Sequence, residues 1–326
     1  MSSKLLGLAS LAAVVLSFSV LASADDTHPP RPADPFADPA HDPYNPLRYI
    51  PSNVLTGVAH AVFALVSLHQ LYSTWKYKTW WFLILPISIS IYNTGFAMRF
   101  SLHDNPEFLA GFIVQSILLV LAPCAFIAAD YMLLGRLARS LEMEKHMIIA
   151  PTRITKIFVW SDIITFNIQG GGSGFTTSGS TNVLLLNLGR YIFLAGLILQ
   201  AISFVFFTIM YVIWFRRVRR LEPLVWRRDE GQKWYNDWRA LAWALMVSCI
   251  GILIRSIYRV AEASQGTFGT LATTEWIFYV FDTLPLFVAV AVFVPFWPGR
   301  FIPPRHLGDP KDHHELMPVT SRSAPA

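Results

Sequence analysis

The chain has 326 residues, of which 54% are hydrophobic and only 14% charged, and its mean hydropathy is +0.44. That is too apolar for an ordinary soluble domain and places the chain among integral membrane proteins. The 26 Lys and Arg against 21 Asp and Glu, with a pI near 9.2, do not point to nucleic acid, because the basic residues gather in loops between apolar runs, where they act as topology signals.

Residues 1–24 combine Lys4, an apolar run from Leu5 to Leu21 and the small triplet Ala22-Ser23-Ala24. This pattern predicts a signal peptide, with an uncleaved signal anchor as the alternative. Residues 25–50 are acidic and rich in proline, with too little apolar surface to pack, and predict a disordered outer tail. The transmembrane domain is then expected over 51–299 and a polar, Pro-rich tail over 300–326.

A bilayer crossing takes about 20 apolar residues. Segments near 52–73, 80–100, 108–134, 156–173, 188–214, 240–260 and 275–296 meet that need, the fourth least well because Asp162, Asn167 and Gln169 interrupt it. One basic loop holds Arg136, Arg139, Lys145, Arg153 and Lys156; another runs from Arg216 to Arg239. If both face the cytoplasm, an even number of crossings separates them, so the weak fourth segment must span as well. The expected fold is therefore all-α, a seven-transmembrane helix bundle with the N-terminus outside and the C-terminus cytoplasmic. Pro86, Pro123 and Pro285 fall within spans and free backbone carbonyls that need other partners. Cys124 and Cys249, both inside apolar runs, read as buried thiols.

Charge within a span is costly unless it is paired, at about 2.5–3.5 kcal/mol per residue on insertion scales. Arg255, Arg259 and Glu262 share one face of span six, and Glu275 and Asp282 share one face of span seven. The two stripes are expected to face each other across the bundle interior, as ligand-binding groups or as a structural ion pair that fixes helix register. Asp162, Thr165 and Gln169 share a face of span four; Gly189, Gly196, Gln200 and Ser203 share one of span five. Asn53, His60 and Ser67 recur on span one, and Gln115 adds an amide to span three. So many inward polar stripes suggest a polar or partly hydrated interior, although the amides also serve as interhelical glue and His60 also reads as a core histidine. Asp162, with no cation on its own helix, is the leading functional candidate. Gln169 to Gly174, "QGGGSG", lacks the Gly-Lys-Ser/Thr of a phosphate loop and reads as a flexible or closely packed helix end. No hydrolase motif is present, and no metal site or cofactor is expected.

Several motifs together resemble the fungal lipid-translocating exporter family, the RTA-like seven-span membrane proteins associated with resistance to toxic amphiphiles. They are Tyr44 to Asn53, His69, "GFAMR" with Gly95 and Arg99, "APCAFIAADYMLLGR" from Ala122 to Arg136, and "FVWSDIITFNIQGGG" from Phe158 to Gly172. Gly196 and Gln200, "IRSIYRVAEASQG" from Ile254 to Gly266 and "EWIFYVFDTLP" from Glu275 to Pro285 complete them. The resemblance implies a non-enzymatic protein that moves lipids or amphiphiles, sphingoid long-chain bases among them, across the plasma membrane or an internal secretory or vacuolar membrane. It implies membrane lipids or amphiphilic small molecules as partners, and no nucleic acid. The chain departs from the pattern at Tyr92, near which an acidic residue is expected as partner of Arg99, and at Trp297, where a histidine is expected. A seven-helix receptor remains the main alternative, although span three lacks an acidic-Arg-aromatic triplet and span seven an Asn-Pro-x-x-Tyr pattern. An intramembrane zinc hydrolase is a further one, although His60 and His69, nine apart, point in nearly opposite directions.

Overall fold

The structure, a computed structural model, describes residues 34–42, 44–177, 183–229, 231, 233–266 and 269–302. The expected signal segment 1–24 and all of the C-terminal tail beyond 302 lie outside the described residues. Among the described residues every regular element is helical. The long helices are α1 (Asn53–Lys76), α2 (Ile84–Asp104), α3 (Leu109–Ser140), α4 (Pro151–Thr177), α5 (Val183–Leu221) and α6 (Trp238–Gln265). A broken helix, α7, follows as Glu275–Phe278, a π turn at Tyr279–Thr283, and Leu284–Ala291.

Five helical stretches among the described residues are long and apolar enough to cross a membrane: Asn53–Lys76, Trp80–Asp104, Leu109–Ser140, Val183–Leu221 and Trp238–Gln265. The expected fourth and seventh spans form helices but do not join this group. In α4 the apolar run is interrupted by polar side chains, and α7 is divided by its π turn into pieces that are individually short. Both nevertheless pack along the bundle, α4 against α3 and α5, and α7 against α6 and α1.

Two ends can be distinguished by their contacts. At one, the segment before α1 reaches α2 and α7: the Ser52 amide donates to Glu275, and His103 lies 2.7 Å from the Pro51 carbonyl. Ser52 also caps α1 through its hydroxyl, which accepts from the Leu55 amide. At the other end, Arg217 donates to the His146 carbonyl and Glu222 accepts from Lys145 and His146, so the loop after α3 meets the end of α5. Trp297 donates to Thr79 there at 2.9 Å. Of the expected outer tail 25–50, residues 34–42 and 44–50 follow turns, and they end with Tyr49 against α2.

Much of the core is aromatic. Phe63, Tyr92 and Phe96 meet Phe278 and Tyr279 in one half, and Tyr131, Phe158, Phe204 and Phe207 stack in the other, the Tyr131 and Phe207 rings 4.5 Å apart. Leu65, Leu68, Ile202, Ile209, Trp243 and Ile257 are exposed on the outside, as lipid-facing side chains are.

Two glycine contacts set helix spacing. A Cβ on Gly172 would lie 2.7 Å from the Gly189 carbonyl, and one on Gly189 would lie 2.8 Å from the Gly172 carbonyl, so α4 and α5 touch through backbone. The glycine run after Gln169 is thus helical, with Gly172 its close-packed position and Gly171 and Gly174 facing open space. A Cβ on Gly251 would lie 2.4 Å from the Pro285 carbonyl, which brings α6 against the broken part of α7.

Candidate functional site

The intramembrane charges fall into two groups with opposite character. The first is closed on itself. Asp282, at the π turn of α7, is fully buried and accepts from Arg259 Nε at 2.6 Å, with Arg255 Nε 3.2 Å from the same oxygen. Its other oxygen accepts from the Tyr92 hydroxyl at 3.3 Å. Arg259 reaches one turn along α6 to Glu262 at 2.9 Å, and two arginines thereby stand against two carboxylates. The basic stripe of α6 and the acidic position of α7 do face each other, as their spacing predicts.

Arg255 also shows where a proline-freed carbonyl goes. Pro123 has no amide hydrogen, so the carbonyl of Leu119, four residues earlier, loses its helical donor. Arg255 Nη2 donates to that carbonyl at 2.8 Å. One guanidinium therefore ties α6 to the proline break of α3 and to α7.

Glu275, expected beside Arg255 and Arg259, pairs elsewhere. It accepts from Arg99 Nη2 of α2 at 3.0 Å and from the Ser52 amide at 2.9 Å. The expectation that Arg99 lacks a partner is thus corrected. Its carboxylate comes from α7, while Tyr92, at the position where an acid is expected, hydrogen-bonds Asp282 instead. Arg99 is 1% exposed and also donates to the Tyr49 hydroxyl at 3.0 Å, with the rings of Tyr49, Phe278 and Tyr279 around its guanidinium. Burial pushes the Tyr49 phenol above its ordinary pKa, so it stays neutral and can accept from Arg99.

The second group is open. Asp162 of α4 is 4% exposed, and neither of its carboxylate oxygens has a hydrogen-bond partner among the described residues. The Tyr131 phenol of α3 lies beside it without the geometry of a formed bond. Nearby, Gln169 donates to Gln200 at 2.8 Å, and Gln200 donates to Cys124 Sγ at 3.1 Å, a chain that crosses from α4 through α5 to α3. Gln169 is 1% exposed, and its own amide oxygen is unpartnered. Gly196 makes room for it, since a Cβ there would lie 2.7 Å from Gln169 Cγ. The open group therefore has unused acceptors and, among the described residues, no cation paired with them.

His60 and Gln115 join neither group. The His60 ring meets Phe100 edge-on at 6.3 Å, and its Nδ1 is buried without a partner. Gln115 is buried on α3 with its amide oxygen unbonded. Sequence reasoning missed Asp130, which is fully buried on α3, accepts from Ser248 at 2.8 Å and leaves Oδ1 unpartnered. The signal was present as an acid in the middle of an apolar span. It also missed Tyr131 and Cys124, which look like ordinary core residues until α4 is placed against them.

With apolar side chains exposed on their outer faces and acidic and basic side chains paired between them, these helices define a polytopic helical membrane protein. The chain belongs to the RTA1-like family, matching the family described as "RTA1 like protein" over residues 86–305. It is 33% identical to protein RTM1 of Saccharomyces cerevisiae over 202 residues, 61% of this chain and 62% of that one. It is 32% identical to protoporphyrin uptake protein 1 of the same yeast over 200 residues, 61% of this chain and 62% of that protein. To the sphingoid long-chain base transporter RSB1 of S. cerevisiae it is 26% identical over 275 residues, 74% of this chain and 71% of that one. The chain thus spans about six tenths of the length of the first two relatives. No solved structure matches it.

Proposed function

We propose that this protein moves amphiphilic compounds across a membrane, with cationic long-chain amines such as sphingoid bases as the leading class and the plasma membrane as the leading location. The amphiphile keeps its chain in lipid while its head group enters the bundle. The reading draws on the family, on relatives named for a sphingoid base and for protoporphyrin, and above all on Asp162. Asp282, Glu275 and Glu262 already have arginine partners, whereas Asp162 is a buried carboxylate without one. An ammonium group has three donors and no acceptor, so it complements Asp162 and the free oxygen of Gln169. Arg255, Arg259 and Arg99 act in this scheme as the rigid frame, with Gln200 orienting Gln169.

The same proposal includes seven crossings with the N-terminus outside. The loop after α3 and the end of α5 sit together and are both basic, which fits an even number of crossings between them and so a spanning α4. The test is reconstitution of the full chain in liposomes with a labelled long-chain base. Asp162→Asn, with its fold confirmed by thermal stability, is expected to reduce movement at least tenfold. Unchanged movement in a folded variant removes Asp162 from the pathway.

A further inference from the structure

The unpaired state of Asp162 has a consequence for how transport is powered. A carboxylate held away from water must be neutralised by a proton or by a bound cation. Among the described residues no cation serves it. From α3 it faces Tyr131, with Cys124 near, and Cys124 in turn accepts from the Gln200 amide of α5. On α6 the Arg255 guanidinium is taken by the Leu119 carbonyl and Asp282. Arg259 is likewise held by Asp282 and Glu262.

Resting on the amphiphile reading above, we infer that Asp162 is an exchange site at which a proton and the ammonium head group of an amphiphile take turns. In the empty protein the carboxyl carries a proton. When the ammonium arrives, the O–H bond breaks, the proton leaves to solvent, and the carboxylate accepts hydrogen bonds from the ammonium. The charge of the site is the same in both states, so neither leaves an unpaired ion in the bundle. Loss of the amine to the other side requires a proton to return, which couples amphiphile movement to a proton gradient of opposite direction.

The exchange is specific to the open group. Asp282, Glu275 and Glu262 are each paired with an arginine. Asp130, by contrast, accepts a hydrogen bond from Ser248.

The test uses the purified full chain in detergent with little buffer, a long-chain base as ligand, and the N-acylated form of the same base as neutral control. Binding is followed by fluorescence of a labelled base, and protons by an indicator dye. The expected result is release of about one proton for each amine bound, none with the acylated form, and loss of release in Asp162→Asn but not in Asp130→Asn. An infrared difference spectrum of the unmodified protein should show a protonated carboxyl disappearing as the amine binds, which answers the question even if Asp162→Asn does not fold. Amine binding without proton release, or release that survives in Asp162→Asn, overturns the exchange while leaving the amphiphile reading in place. Failure of the amine to bind at all overturns both.

Discussion

At the level of single residues, the decisive contrast is between acids that have arginines and acids that do not. Arg99 of α2 is buried and Glu275 of α7 is only 17% exposed, so removing either leaves a poorly solvated charge without its partner. Arg99→Met and Glu275→Gln are each expected to destabilise the protein by about 3–5 kcal/mol, and the double variant by clearly less than their sum. Thermal unfolding in detergent of the two single variants and the double one measures this, and strict additivity would show that the pair is not coupled. Asp282→Asn should act in the same direction, because it leaves Arg255 and Arg259 facing each other with only Glu262 to balance them. Tyr92 stands where the resemblance implies an acid. A phenol donates to Asp282 where another acid would have added a third carboxylate to two arginines.

Among elements, the helices most dependent on tertiary contact are α4 and α7. Neither is apolar and unbroken enough to be taken for a span alone, and each is held by a backbone-close contact, at Gly172 and Gly189 for α4 and at Gly251 for α7. Gly251→Val puts side-chain atoms onto the Pro285 carbonyl, which as backbone cannot swing aside. It is expected to lower stability by about 1–3 kcal/mol or more and to loosen the Asp282 contacts. An unaltered unfolding temperature would contradict that packing. At the opposite end of the bundle, hydrogen bonds from Lys145 and His146 hold the Glu222 carboxyl below its usual range. A lowered folded-state pKa means this clamp is present above the ordinary glutamate pKa of about 4.3 and is lost as pH falls further. Proteolysis or hydrogen exchange of the loop at 141–150 should therefore accelerate at acid pH, and Glu222→Gln should show that faster exchange already at neutral pH.

For the whole molecule, topology is the property to test. Lys78 and Lys233 are exposed at the end where the loop after α3 meets α5, and Asn105 is exposed at the end near Ser52. With Cys124 and Cys249 inside the helical bundle, single cysteines at those three positions can be labelled in intact cells by a membrane-impermeant reagent. Asn105→Cys is expected to react from outside, and Lys78→Cys and Lys233→Cys only after permeabilisation. Reaction of Lys78→Cys and Lys233→Cys on different sides would remove the even count of crossings and with it a spanning α4.

The sequence by itself determined the class, the helical segments and the identity of most polar candidates, because apolar length, loop charge and three-and-four spacing are local properties. It also showed that Pro123 must free a carbonyl and that the stripe at Arg255 and Arg259 needs acids. Which acid meets which arginine was decided only by tertiary structure. Glu275 and Asp282 share a face in the one-dimensional pattern, yet Asp282 lies in the π turn and meets α6 while Glu275, ahead of that turn, meets α2. The isolation of Asp162 is of the same kind: a residue's lack of a partner depends on every helix packed around it, and no pattern along a single helix contains that information.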